Sequence, residues 1–397
     1  MVPGYGAHAM TIDLFIAVLA LTLWTYLLLF RGWFWLGRER DARDPPPMPQ
    51  CSAAWPRVAV VVPARDEATV LPLSLPSLLA QDYALPLTVI VVDDQSEDCT
   101  FNVARSIASR AGREVIVLRA EPRPPDWTGK VWAMQQGIAH AVALPDPPQY
   151  LLLTDADIGY SSDALTHLVA RALAGHLVLT SLMAKLNCES FAERALIPAF
   201  IFFFQMLYPF AWVGRASKHT AAAAGGCMLV ERRALESVGT MSSIRNALID
   251  DCALAAVLKA EGPIWLALTE RVVSLRRYPR VGDIRRMVSR SAYAQLHYSP
   301  FMLAGTIAGM TLTFIAAPLL AIFASYPSWG FGIAAWGFMA IALQPTLRFY
   351  RLSPLWGLML PLIAATYLVF TVDSARQHWL GRGGMWKGRA QALPEKR

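Results

Sequence analysis

Apolar and polar positions alternate along this chain in two different ways. Residues 10–30 (MTIDLFIAVLALTLWTYLLLF) are apolar almost without interruption, with one acidic residue near the start, and are about long enough to cross a hydrocarbon layer ~30 Å thick. From residue 58 to about 179 the pattern becomes short β-branched runs separated by amphipathic stretches: VAVVVP, a helix over 71–79, TVIVVDD, a helix over 103–110, EVIVLRA, then YLLLTDAD. Continuous apolar strands separated by helices predict an α/β domain with a mainly parallel, Rossmann-like sheet covered on both faces. These strands end at Pro63, at Asp93 and Asp94, and at Asp155, so polar groups collect at the carboxyl edge, where open α/β sheets bind ligands.

Further along, residues 195–213 are very apolar yet carry Pro198 and Pro209. A buried core helix is one reading. An interfacial helix broken at the prolines is preferred, because Phe, Tyr and Trp beside Arg215, Lys218 and His219 suit the headgroup region. Three more apolar stretches follow, at about 301–324, 329–345 and 354–372, each long enough to span a bilayer. Pro45, Pro46, Pro47 and Pro49 form a stiff linker that cannot continue a helix. The expected organisation is an anchor (1–44), a linker (45–55), an α/β domain (56–294), C-terminal membrane helices (295–375) and a basic tail (376–397).

Composition agrees with partial burial in lipid: of 397 residues 55% are hydrophobic and only 16% charged. A cleaved signal peptide is the rival for the first segment, but no Lys or Arg precedes it and no small-residue cleavage site follows. Arg31, Arg38, Arg40 and Arg43 come after it, so the positive-inside bias puts the α/β domain in the cytoplasm, on a multi-pass inner-membrane protein. Three spans after that domain would place Arg382, Lys387, Arg389, Lys396 and Arg397 outside, so one of the three is expected to be re-entrant or interfacial. The net charge of +7 raises nucleic acid as a partner, yet Arg276, Arg277, Arg280, Arg285, Arg286 and Arg290 cluster before an apolar stretch. Anionic headgroups or a diphosphate are the expected partners, not nucleic acid. Five scattered cysteines, with no CxxC pair, read as reduced and mostly buried thiols.

Candidate chemistry centres on TDAD. In an extended segment Asp155 and Asp157 point the same way and can share one Mg²⁺ or Mn²⁺ that also meets a diphosphate; a solvated acidic turn is the alternative. VVPARDEA places Pro63, Arg65 and Glu67 where a nucleobase could lie, and VVDDQSED adds Asp93 and Asp94 as acceptors, unless residues 94–96 merely cap the next helix. TGKVWAMQQG puts Gly129 and Lys130 at a helix start suited to phosphate, without the Walker pattern. Gly225 and Gly226 allow a close backbone approach or simply a turn. Asp250 and Asp251 open a helix, as a cap or as a base.

The ordered segments VVPARDEA, VVDDQSED, LLLTDAD, GGCMLVERRAL and IDDCAL resemble the family 2 glycosyltransferases, which have a GT-A fold, over about residues 56–290. The anchor, the C-terminal spans and WKGR at 386–389 look most similar to the hopanoid-associated members. The resemblance implies Pro63, Arg65, Glu67 and Asp94 at the nucleoside of a nucleotide sugar, with a UDP-sugar as first expectation. It further implies Asp155 and Asp157 at the diphosphate and metal, and Asp251 as the base that deprotonates a lipid hydroxyl during inversion. Processive members carry Gln-x-x-Arg-Trp; here the nearest segment is Met287-Val-Ser-Arg290-Ser291, which keeps Arg290 for the diphosphate and implies transfer of a single sugar. Polyprenyl phosphate as acceptor and a non-catalytic nucleotide-sugar-binding membrane protein are the alternatives. A transporter is disfavoured because no ionisable residue lies well inside the apolar stretches between 302 and 343.

Overall fold

The computed structural model describes residues 4–51, 55–386 and 389–390. The chain forms two compact units, one of Met1–Arg38, Cys188–Pro209 and Tyr278–Gly384, the other of Glu39–Asn187, Phe210–Arg277 and Met385–Arg397. Residues 387–388 and the tail from 391 onward, with Lys396 and Arg397, lie outside the described residues.

The α/β unit is built on one eight-stranded sheet: β1 Val58–Ala64, β2 Leu87–Asp93, β3 Val115–Arg119, β4 Tyr150–Leu153, β5 Ile158–Tyr160, β6 Leu179–Lys185, β7 Met228–Glu231 and β8 Ile264–Ser274. Their spatial order is β3-β2-β1-β4-β7-β6-β8-β5. The half from β3 to β4 is parallel. Beyond it β7 runs antiparallel to both β4 and β6, β8 is parallel to β6, and β5 closes the edge antiparallel to β8. Strands β1 and β2 are buried on nearly every residue, which is why they read as unbroken Val and Ile runs and not as alternation. Pro63 sits inside β1, opposite Val92. Pairing with β4 stops at Val61, so the missing N–H falls where no ladder needs it.

Only four residues separate Leu153, the end of β4, from Ile158, the start of β5, although three strands stand between them in the sheet. A flat sheet would need ~19 Å for four strand spacings, about all that a fully stretched connection could reach. The sheet therefore curls, and the Tyr160 hydroxyl meets the Thr154 hydroxyl at 2.8 Å. This curl changes the expected geometry of TDAD. The pair Asp155 and Asp157 is not part of an extended strand; it lies in the turn between β4 and β5.

At its start the α/β unit reaches further back than residue 56. Arg40 bridges to Leu268 of β8, and the buried Asp41 carboxylate accepts from Thr269 and from Arg271, whose Nε also holds Asp163 at 2.9 Å.

The other unit gathers the apolar helices. Among the described residues, five segments are long and apolar enough to cross a membrane: Ile12–Leu29, Phe191–Val213, Pro300–Phe323, Ser328–Phe349 and Pro354–Trp379. The helix Phe191–Leu207 runs straight through Pro198 and stops before Pro209, so only the second proline breaks it, as a residue without N–H near the helix end permits. Its Ile197, Ala199, Ile201 and Phe202 are buried, with Phe202 packed on Phe34 and Phe203 on Tyr367. Small residues let the apolar helices approach: a Cβ on Gly332 would lie 2.7 Å from the Ala317 carbonyl, the close contact that Gly permits between helices in lipid. Where the helix is π-wound, at Thr311–Ala316, the Thr313 carbonyl accepts from the buried Trp24 indole at 2.6 Å, satisfying a polar group that lipid could not.

Candidate active site

Two loops at the carboxyl edge of the sheet are laced together. The backbone N–H of Asp66 donates to the Ser96 hydroxyl, that of Glu67 to the Thr100 hydroxyl and that of Glu97 to the Asp66 carboxylate. Asp66 and Gln95 both take left-handed φ values, 50° and 53°, so each loop turns sharply at a non-glycine residue. Arg65, 1% exposed, holds the crossing. Its Nη1 donates to the Asp94 and Gln95 carbonyls at 2.7 Å, and Nη2 reaches Glu97 at 3.1 Å. The guanidinium expected at the nucleoside is thus committed to the loop backbone, because a buried cation needs its donors satisfied. Asp93 and Asp94 are nearly wholly buried at the end of β2, and one oxygen of Asp93 has no hydrogen-bond partner. Residues 94–96 do not cap the following helix, Thr100–Ala108, whose preceding residue is Cys99; Asp98, one residue further back, accepts from the Thr100 N–H at 2.8 Å.

From these loops a chain of charges runs across the edge. Glu67 accepts from Arg276 Nη2 at 2.7 Å, and Arg276 Nε donates to Asp157 at 2.6 Å. Two residues back in the same turn, Asp155 meets the Lys130 ammonium at 2.8 Å, and Lys130 also holds Asp250 at 3.0 Å. The two carboxylates of TDAD therefore hold different cations. Lys130 opens the helix Gly129–Val142, as its sequence predicts. One tie fixes that helix start, the Thr128 N–H donating to the Arg245 carbonyl, and a second holds its middle, where Gln135 accepts from Thr240 and Met241. The ammonium does not point at an open phosphate position; carboxylates surround it.

Asp250 and Asp251 begin the helix Asp250–Glu261, with Ile249 as the residue before it, so neither is the cap. Asp251 accepts from the Gly225 N–H at 2.9 Å and the Cys252 N–H at 2.7 Å. Burial, reinforced by the charge of Asp250, pushes its carboxyl up to about 6, against the opposing pull of Lys130 and the two N–H groups. Burial works against the Lys130 ammonium, yet Asp155, Asp250 and then Asp251 raise its pKa above the ordinary lysine value. The arrangement is a carboxylate poised near neutrality beside a permanent cation, which suits proton abstraction.

The glycines divide. A Cβ on Gly225 would lie 3.2 Å from Lys130 Nζ and 3.4 Å from Asp251 Oδ2, so its small size serves the site. Gly226 is packed against Ile158, and its carbonyl accepts from Thr154 and Tyr160, so its small size serves the curl of the sheet. The turn carrying both is held by Ser181, which donates to the Cys227 carbonyl and accepts from the Ala224 N–H. Arg290, expected at the diphosphate, follows the helix Val281–Ser289 in the other unit and is exposed. Of the five cysteines only Cys227 and Cys252 are buried; Cys51 and Cys99 are exposed, contrary to expectation.

Arg276 was legible only as one of several basic residues, although it follows β8 as Asp155 follows β4. Ser181 and Tyr160 gave no signal, since their roles depend on the curl of the sheet. For a divalent cation the donor set fits: Asp155 and Asp157 offer hard oxygens that already hold positive charge. No group of three or more His, Cys, Asp or Glu gathers for a metal among the described residues. Mg²⁺ can be held by one or two carboxylates, with phosphate and water completing its shell.

The sequence model of the family described as "Glycosyltransferase like family 2" matches residues 56–276, more than half of the chain. No curated protein matches the sequence. Among solved structures, the mannosyltransferase PcManGT from Pyrobaculum calidifontis, in complex with GDP-Man and Mn²⁺, matches with a TM-score of 0.55 at 19% identity, over 92% of this chain and 99% of that one. More distant in shape are S. aureus TarS 1-349 (TM-score 0.36, 12% identity, 82% of this chain and 92% of that one) and the mannosyl-3-phosphoglycerate synthase from Rubrobacter xylanophilus (TM-score 0.38, 16% identity, 65% and 80%). With a GT-A-like sheet and this family match, the chain is a glycosyltransferase and belongs to glycosyltransferase-like family 2.

Proposed function

We propose that this enzyme is an inverting transferase that moves one sugar from a nucleoside-diphosphate sugar to a membrane lipid, with a hopanoid as the first acceptor to test. The observation that carries the reading is Asp251: a half-buried carboxyl raised to about 6, fixed by two backbone N–H groups and set beside Lys130 and the turn carrying Asp155 and Asp157. Asp251 takes the proton of the acceptor hydroxyl as that oxygen attacks the anomeric carbon, while the nucleotide leaves on the opposite face. Asp250, spent on Lys130, tunes Asp251 and is not the base. Asp93 and Asp94, with Glu67 and Pro63 beside them, form the nucleoside end, supported by the unpartnered Asp93 oxygen. A bound Mg²⁺ or Mn²⁺ at Asp155 and Asp157 would neutralise charge developing on the departing diphosphate.

The lipid acceptor is supported by five membrane-length helices in the same chain, and the arginines after residue 30 favour a catalytic unit in the cytoplasm of an inner-membrane protein. For the donor, UDP-sugars are tested beside GDP-Man, the donor bound by PcManGT. Wild-type, Asp157→Ala and Asp251→Asn proteins are assayed for nucleotide release with a hydroxyl-bearing lipid. Asp251→Asn should lower turnover by about 10²–10⁴-fold, the usual worth of a general base, and full activity in either variant removes the assigned role. If polyprenyl phosphate is the acceptor, Asp251→Asn costs little, because that acceptor is already an anion. Nucleotide binding without turnover on any lipid marks a silent binding protein. Lipid mass spectrometry of cells with and without the gene names the sugar and the acceptor.

A further inference from the structure

Arg276 stands between two carboxylates that the rest of the fold holds still. Its Nε donates to Asp157 at 2.6 Å and its Nη2 to Glu67 at 2.7 Å. Glu67 is fixed through its own backbone N–H on Thr100, and Asp157 through its carbonyl, which accepts from Leu275 at 2.8 Å. The Asp157 and Glu67 side chains are 13% and 9% exposed, whereas that of Arg276 is 34% exposed, so the guanidinium is the partner with solvent to move into. An arginine keeps its charge at every accessible pH, so it can vacate Asp157 only by moving.

We propose that Arg276 is a resident counter-ion for Asp157 that a divalent cation must displace, so that metal and nucleoside diphosphate bind together and neither binds well alone. The inference rests on the metal reading of Asp157 given above. A dication on Asp157 with the guanidinium still on Glu67 sets like charges side by side in a poorly solvated place, which disfavours metal alone. A diphosphate brings the missing negative charge, and its oxygens are good acceptors for the guanidinium fork released from Asp157. Lys130 is less suited to this exchange, since at 18% exposure it is enclosed by Asp155 and Asp250. Arg276 is accordingly a positioning residue, and its signature is a coupling between two ligands.

The test uses the full chain in detergent and follows Mn²⁺ binding by electron paramagnetic resonance, with no nucleotide and with GDP or UDP. In the wild type either nucleotide should strengthen Mn²⁺ binding, beyond the Mn²⁺ that the nucleotide itself holds in solution. In Arg276→Gln, Mn²⁺ alone should bind about 5-fold tighter or more, within the usual range of coupling between sites, and the nucleotide effect should shrink by a similar factor. Arg276→Lys keeps the charge but cannot hold both carboxylates through separate nitrogens, and should shift the same way by less; it serves if the glutamine variant does not fold. Nucleotide-supported Mn²⁺ binding that neither substitution alters overturns the exchange while leaving the metal reading intact. Absence of Mn²⁺ binding in the wild type, even with either nucleotide, overturns both.

Discussion

A carboxyl raised to about 6 is half ionised only slightly below neutrality, so the proposed base carries its own pH limit. The rate with a hydroxyl acceptor should fall as pH drops through about 6, when Asp251 takes up a proton and can no longer accept one. Lys130 is among the groups that hold this pKa down. Lys130→Met should therefore move the acidic limb of the kcat/KM profile to higher pH, and a limb that stays in place would separate Lys130 from Asp251 energetically. The acidic residues of the site were readable as residues: Asp155, Asp157, Asp250 and Asp251 all fall on the charged edge. Their partners were not. That Arg65 would be spent on the carbonyls of Asp94 and Gln95, and Arg276 on Glu67 and Asp157, depends on side chains from separate strand ends meeting, which spacing along the chain does not encode.

At the level of elements, the parallel half of the sheet was the most legible part. Strands buried on both faces must be continuously apolar, and VAVVVP and TVIVVDD have few other uses. The helix Leu71–Leu79 and the start of the helix Gly129–Val142 fell where the pattern put them. The short β5 gave no sequence signal of its own, and β8, although apolar over much of its length, was not read; the turn of TDAD was misread as extended because its shape depends on β5 joining β8. Gly137 is a similar case. It lies where the helix Gly129–Val142 packs on the sheet, and a Cβ there would collide with the Val61 side chain and reach Val92 Cγ2 at 3.0 Å. Gly137→Ala should cost about 1–3 kcal/mol by overpacking, despite alanine's better helix propensity. A thermal or denaturant melt showing no loss would mean that the helix can shift away from β1.

Across the whole molecule, the α/β unit is not one stretch of sequence. The chain leaves it at Cys188, returns at Phe210 and leaves again at Tyr278. A fragment limited to the family match, residues 56–276, retains the helix Phe191–Leu207 while lacking Phe34 and Tyr367, on which Phe202 and Phe203 pack. Such a fragment should aggregate without detergent, as light scattering would show; a monodisperse, detergent-free fragment would mean that this helix finds cover elsewhere. Both departures are fastened to a single side chain. Glu193 accepts from the Glu189 and Ser190 N–H groups with one oxygen and from the Tyr278 N–H at 2.7 Å with the other. Two stretches of backbone almost a hundred residues apart in sequence are thereby spliced at one knot. Extra residues inserted at 188–190 or 277–279 would untie it, whereas the proline-rich segment at 45–49, which has no regular structure, can lengthen without loosening either strand of the splice.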